Sequence, residues 1–248
     1  MVEDFGSYLK SERELRGVTL EELHSKTRIP SRYLQALENN FKVLNLDISR
    51  PSNDDHLEYW AKVDILDYEN VISAFKDFLP EYVIHLAARI DSDERANLYD
   101  DYKVNIIGTE NIINAIKATP RVRRVIITST QFVYRNGNAL PKDDLDFKPH
   151  TIYGRSKVLT EKITRESNLK CVWTIVRPTT IWGPGDLVYR SQFYKVLKNK
   201  LYFHPGHNIC RRSYEFVENV AYYMLKILSV DPTKIDNKVF YLGGKPIN

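Results

Sequence analysis

Six short strand-forming runs of five to seven residues, interspersed with helix-forming stretches, restrict this 248-residue chain to a layered α/β architecture. The runs fall near residues 42–47, 61–65, 82–87, 123–129, 172–177 and 238–242, and the helical stretches near 69–78, 98–118, 152–167, 188–199 and 216–229. Val125-Ile126-Ile127 is typical: successive β-branched residues without polar alternation mark a strand covered on both faces. Strands alternating with helices predict a parallel sheet with helices on either side. The polar stretch 49–55 and the turn-rich stretch 136–149 read as loops.

Composition limits the function classes. With 43% hydrophobic residues the chain can bury a sizeable core, and its length suits one domain plus a small appendage. A net charge of +4 calls for neither a nucleic acid nor a membrane partner. Cys171 and Cys210 are too few for a disulfide framework and fit a reducing compartment. No apolar run approaches the roughly 20 residues of a membrane span, and the acidic amino terminus is no signal peptide. The expected location is cytoplasmic.

Chemistry concentrates in Tyr153-Gly154-Arg155-Ser156-Lys157. Residues four apart on a helix share a face, so the Lys157 ammonium can sit beside the Tyr153 phenol, favour its ionised form and draw its pKa from about 10 toward neutrality. A phenol tuned that way exchanges a proton with an alcohol while a cofactor takes the hydride. YxxxK alone is a weak pattern, but other segments occur with it in order. The run at 125–127 delivers Thr128-Ser129-Thr130 to the carboxyl end of a strand, where ligands bind in open α/β sheets. Tyr82-Val83-Ile84-His85-Leu86-Ala87-Ala88 ends in small residues that let a ligand approach, Asn105 opens Asn105-Ile106-Ile107-Gly108-Thr109, and Thr174-Ile175-Val176 leads into Arg177-Pro178.

Together, segments 43–47, 63–67, 85–88, 105–109 and 177–184, with Thr130, Tyr153 and Lys157, resemble the extended short-chain dehydrogenase/reductases: the NAD-dependent epimerase/dehydratase family acting on nucleotide sugars. The resemblance covers about 41–248 and implies a Rossmann-like parallel sheet, NAD as cofactor and a nucleotide-sugar substrate. It implies Tyr153 as acid/base, Lys157 on the nicotinamide ribose, Thr130 on the reacting oxygen, Asn105 as an active-site neighbour and Pro178 near the nicotinamide. Asp47 matches the carboxylate on the adenosine ribose, which favours NAD because a 2′-phosphate would be repelled; Arg50 nearby keeps NADP as the less favoured choice. Asp64 and Ile65 match the loop beside the adenine, and Ala87 and Ala88 the wall along the phosphates and ribose. Arg212 matches an arginine on the substrate diphosphate, with a solvated Arg211-Arg212 pair as the alternative. No residue is assigned to a metal, and a homodimer is allowed.

Two departures stand out. A dinucleotide fold opens with a strand, a glycine-rich turn and a helix whose amino terminus binds the pyrophosphate, about 20 residues before the ribose acid. Upstream of Asp47 the chain has only Gly6 and Gly17, neither after a strand, so the first strand and its loop are missing, and the resemblance implies truncation at the carboxyl end too. In the doubly wound order the missing strand is central, so the strand at Val43 is expected to pair with the strand at Tyr82 or hang at an edge, leaving the sheet weak near 43–67.

In place of that unit stands a small all-α unit over 1–40. Thr19-Leu20-Glu21-Glu22 is a capping box, Gly17 ends a helix carrying Phe5, Leu9 and Leu15, and Ile29-Pro30 turns into a helix from Arg32 to Asn39. The wording resembles the RodZ-type branch of phage-repressor-like helix-turn-helix units, which implies contact with a protein partner. Residues 1–40 hold seven acids and six bases, a net of −1 that lacks the basic footprint of nucleic-acid binding.

Two function classes follow. One is an NAD-dependent epimerase or reductase acting on a nucleotide sugar; dehydration is disfavoured because Gln131-Phe132 follow Thr130, where sugar dehydratases carry Asp-Glu. The other is a non-catalytic fusion or truncated remnant whose helical head binds a partner.

Overall fold

The computed structural model describes residues 10–11, 13–27, 42–91, 93–134, 141–184, 194–201 and 213–244. The chain divides into two units, residues 1–46 with 50–61 and residues 47–49 with 62–248.

In the first unit, α1 (Leu20–Thr27) starts at the expected capping box. The Thr19 hydroxyl accepts from the Glu22 N–H at 3.1 Å and Glu22 accepts from the Thr19 N–H at 2.8 Å. Ahead of it Gly17 adopts φ +62°, with its N–H donated to the Glu14 carbonyl, so the chain reverses where only a residue without Cβ turns freely. Leu15 is 81% exposed, in the last turn before Gly17. The expected helix from Arg32 to Asn39 lies outside the described residues. Strands β1 (Asn45–Asp47) and β2 (Trp60–Lys62) form their own two-stranded sheet, so β1 pairs with β2 rather than with the strand at Tyr82. A 3₁₀ turn at Asp54–Tyr59 precedes β2, and Arg50 pairs with Asp54 at 2.9 Å on its surface.

The second unit is built on four parallel strands in the order β3 (Tyr82–His85), β4 (Arg124–Thr128), β5 (Val172–Pro178) and β8 (Lys238–Leu242). His85 stands opposite Ile127, Thr128 opposite Val176 and Pro178 opposite Leu242. Three helices connect or flank the first strands: α2 (Tyr68–Phe78), α3 (Lys103–Lys117) and α4 (Ile152–Glu166). The helix expected from residue 98 starts five residues later. Asn97 accepts from the N–H groups of Tyr99 and Asp100, and the Asp101 N–H reaches the Asn97 carbonyl, so a capped turn forms at 97–101 that is separate from α3.

Beyond β5 the chain adds β6 (Thr180–Trp182), a short α5 (Tyr194–Lys198), β7 (Tyr214–Phe216) and α6 (Val217–Ser229). Strands β6 and β7 pair in parallel as a second two-stranded sheet absent from the sequence expectation. Alternating side chains of the central strands face opposite layers. Ile126 and Val176 pack with Val220, Met224, Ile227 and Leu228 of α6, while α3 and α4 pack against each other elsewhere in the unit. Each fully buried aliphatic side chain contributes roughly 1.5–3 kcal/mol. Arg124 fixes the carboxyl end of α6 by donating to the Ile227 and Val230 carbonyls.

The approach of α4 to the loop after β4 depends on Gly154. A Cβ there would collide with the Phe132 carbonyl oxygen, a backbone atom that cannot swing aside. Gly154→Ala is therefore expected to lower stability by about 1–3 kcal/mol, measured by denaturant unfolding; wild-type stability would show that this contact has slack.

Candidate active site

Two caps aim the site. Thr151 starts α4 by accepting from the Gly154 N–H at 2.9 Å, which puts Tyr153 in the first turn and Lys157 one turn further. Thr130, two residues past β4, caps a 3₁₀ turn over Gln131–Val133 by accepting from the Phe132 N–H. The Thr130 side chain lies near enough to the Tyr153 phenol to favour its ionised form. Both residues are nearly buried, at 6% and 9% exposure, and Lys157 is at 2%. The Phe132 ring meets Tyr153 edge-on at 6.4 Å and His150 at 5.7 Å, which walls the phenol on one side.

The electrostatics differ from the expectation for an ionised phenol. Burial pushes the Tyr153 phenol above its ordinary range, and the nearby Thr130 side chain opposes this without reversing it. The group is thus protonated at neutral pH. Lys157 is itself desolvated: burial brings its ammonium down to about 8, and the Glu161 carboxylate one turn on works against that fall. An ammonium so placed does not outweigh the cost of burying phenolate. His85, at the end of β3, is pushed down to about 3, first by burial and then by the charge of Lys157, so its ring is neutral. It shares a 3.2 Å hydrogen bond with the Thr109 hydroxyl.

Asn105 is fully buried in the first turn of α3. Its amide donates to the Arg89 carbonyl and to Ser156 Oγ at 2.8 Å, and its Oδ1 accepts from the Arg89 N–H at 2.7 Å. Ser156 Oγ in turn donates to the Tyr153 carbonyl at 2.7 Å. Asn105 therefore fixes α3 to the helix that carries Tyr153, with its amide group turned to these partners.

The residues expected along a dinucleotide are distributed as follows. Asp47 ends β1, exposed, and accepts from the Ser49 N–H at 2.7 Å. Asp64 is exposed and accepts from the Leu66 N–H, while Ile65 is buried with its side chain in the space a Cβ on Gly108 would need. Ala87 and Ala88 are half-buried just past β3, and Pro178 is buried as the last residue of β5. Arg212 lies outside the described residues. Buried donors near Tyr153 suit the nicotinamide and its ribose, but the sequence has no glycine between Gly17 and Gly108, so no glycine turn precedes Asp47 to bring backbone amides onto a pyrophosphate. The residues thus fit one end of the cofactor and lack the usual cradle for its middle.

Sequence reading overlooked a buried polar group beneath the site. Glu161, wholly buried on α4, pairs with Arg177 of β5 and accepts from Ser129 Oγ. Its one signal was a carboxylate four residues after Lys157, on the face expected to be covered.

With this geometry in hand, comparisons with known proteins place the chain. The model of the NAD dependent epimerase/dehydratase family matches residues 31–243, and a helix-turn-helix domain model matches residues 8–48. The chain is 30% identical over 175 residues to an Escherichia coli N-acetyl-alpha-D-glucosaminyl-diphospho-ditrans,octacis-undecaprenol 4-epimerase, covering 68% of this chain and 50% of that one. It is 27% identical to the human sterol-4-alpha-carboxylate 3-dehydrogenase, decarboxylating, covering 85% and 56%. It thus spans about half the length of these two relatives. Among solved structures, Thermotoga maritima UDP-glucose 4-epimerase with UDP-glucose superposes with a TM-score of 0.71 at 24% identity, over 87% of this chain and 74% of that one. Thermus thermophilus UDP-glucose 4-epimerase in complex with NAD gives 0.67 at 20%, over 98% and 76%. The family match over most of the chain and the Rossmann-like parallel sheet agree: this protein belongs to the NAD-dependent epimerase/dehydratase family.

Proposed function

We propose that the unit from about residue 41 catalyses reversible oxidation and reduction at an alcohol carbon of a nucleotide sugar, with an epimerase or reductase outcome. The carrying observation is the burial of Tyr153 and Thr130 at the site, with Lys157, also buried, one helical turn from the phenol. Bound NAD would supply the hydride acceptor and donor. Tyr153, held neutral by burial, donates its proton to an oxygen that gains negative charge as a ketone is reduced, and takes it back in the reverse direction. Thr130 orients that oxygen and the phenol, and Lys157 would hold the nicotinamide ribose. Asn105, through Ser156, sets the pitch of the helix that carries the pair. Asp47, Asp64, Ile65, Ala87, Ala88 and Pro178 would line the remainder of the cofactor, and Arg212 would take the substrate diphosphate.

Support for the nucleotide sugar comes from the solved epimerases that resemble this fold, one of them with UDP-glucuronic acid and NAD bound. Gln131 and Phe132 supply no acid for eliminating water, and the Phe132 ring packs on Tyr153. The near-neutral unit at 1–40 is proposed to contact a protein partner. A non-catalytic remnant is the competing reading, favoured by the missing glycine-rich turn.

Three measurements separate these readings. Calorimetry with NAD is expected to give a Kd of roughly 0.1–1 mM, corresponding to about 4–5.5 kcal/mol. A low-micromolar value would refute the claim that the missing turn weakens binding, and no binding up to several millimolar would favour the remnant. Tyr153→Phe is expected to lower kcat by about 10² to 10⁴ while costing only about 1 kcal/mol of stability; undiminished turnover would remove Tyr153 from the mechanism. Lys157 is cationic below its value of about 8 and neutral above it, so kcat should decline as pH rises through about 8. A flat profile from pH 7 to 9.5 would argue that its charge is not used.

A further inference from the structure

Glu161 holds more polar chemistry than the packing of a helix on a sheet requires. Its Oε1 accepts from Ser129 Oγ at 2.6 Å and from Arg177 Nε at 2.8 Å, and its Oε2 accepts from Arg177 Nη2 at 2.8 Å. Arg165 Nη2 stands 3.6 Å from the same Oε2. Arg177 is itself buried, donates from Nη1 to the Tyr241 hydroxyl and from Nη2 to the Asp144 carbonyl, and packs over the rings of Phe147 and Tyr241. Buried ion pairs of this kind are often replaceable by apolar residues without loss of stability, so stability alone is a weak reason for one.

Its position supplies a better reason. Ser129 directly precedes Thr130, Arg177 directly precedes Pro178, and Lys157 lies four residues back on the same helix face. One carboxylate is thus bonded to the sequence neighbours of two proposed site residues and lies one turn from a third.

We propose that Glu161 is a positioning residue of this site, its buried carboxylate fixing Ser129 and Arg177 and placing its charge one helical turn from Lys157. The catalytic consequence rests on the oxidoreductase reading; the effect on Lys157 does not. The groups around this cluster are Tyr153, Glu161 and Arg165 from α4, neutral His85 from β3, Ser129 and Thr130 after β4, Arg177 from β5, Tyr241 from β8, and Asp144, whose Oδ1 is 4.0 Å from Arg177 Nη1. Glu161 is the acid whose charge opposes the effect of burial on Lys157. Without it, three cations would share the region with the half-exposed Asp144.

The test is the titration midpoint of Lys157, read by NMR from ε-¹³C-lysine in the full chain and assigned with Lys157→Met. Glu161→Gln is expected to move the midpoint down by about one pH unit or more, a tenfold change in the proton equilibrium, and to move the alkaline limb of kcat down with it. Glu161→Asp, which keeps the charge, is expected to restore most of the shift. An unchanged midpoint in folded Glu161→Gln protein overturns the proposal. Should Glu161→Gln leave Arg177 too exposed a charge to fold, the double variant Glu161→Gln/Arg177→Met removes both charges together, and its midpoint must lie below that of Arg177→Met alone; equal midpoints again overturn the proposal. A shifted midpoint in a protein that never turns over nucleotide sugar supports the Glu161–Lys157 coupling and refutes the oxidoreductase reading.

Discussion

A carboxylate and a guanidinium, both out of contact with water, bind α4 to the strands behind it, and the candidate site stands on that junction. Glu161 can be buried as an anion because Arg177 meets it with two parallel hydrogen bonds and Ser129 meets it with a third. Removing any one partner would leave another charge or dipole stranded in a region of low dielectric. The arrangement therefore fixes three pieces of backbone relative to one another: the end of β4, the end of β5 and the second turn of α4. Those pieces carry Thr130, Pro178 and Lys157. Apolar packing of Ile126, Ile127 and Val176 brings the layers together, but dispersion has little directional preference, whereas bidentate pairing sets register.

The upstream strands show what the chain gives up. In a doubly wound sheet a strand ahead of β1 would stand between β1 and β3, hydrogen-bonding both. Here β1 and β2 pair with each other, while β3, β4, β5 and β8 form a sheet of four, so among the described residues the strands divide at the place where the absent one belongs. The proposed cost falls on the ligand. The glycine turn that normally follows that strand is what offers amide groups to a pyrophosphate, and no later segment substitutes for it in sequence.

Much of the fold was legible because it is encoded locally. The capping box at Thr19 and Glu22, the turn at Gly17, and the β-branched runs at 125–127 and 174–176 each declare their conformation within a few residues. Elements fixed by distant partners were not. Strands β6 and β7 are three residues each and lie more than 30 residues apart, so their pairing leaves no periodic trace. The helix expected from residue 98 is divided into a capped turn at 97–101 and α3 from Lys103, a break that helical periodicity does not reveal. At the site, the spacing of Tyr153 and Lys157 was visible, but the sign of the phenol's shift was not. Desolvation is a property of the surrounding volume.

The sequence by itself determined which residue types recur at helical and strand spacing, and hence the layered α/β class, the helical head, the absence of a glycine turn before Asp47 and the four-residue step from Tyr153 to Lys157. Only the tertiary structure decided that Thr130 meets the phenol, that Asn105 is spent on joining two helices, and that Glu161, Arg177 and Ser129 form one buried group. The physical reason is range. Propensity, capping and periodicity act between residues a few positions apart, whereas dielectric, charge pairing and burial depend on atoms brought close by the whole fold.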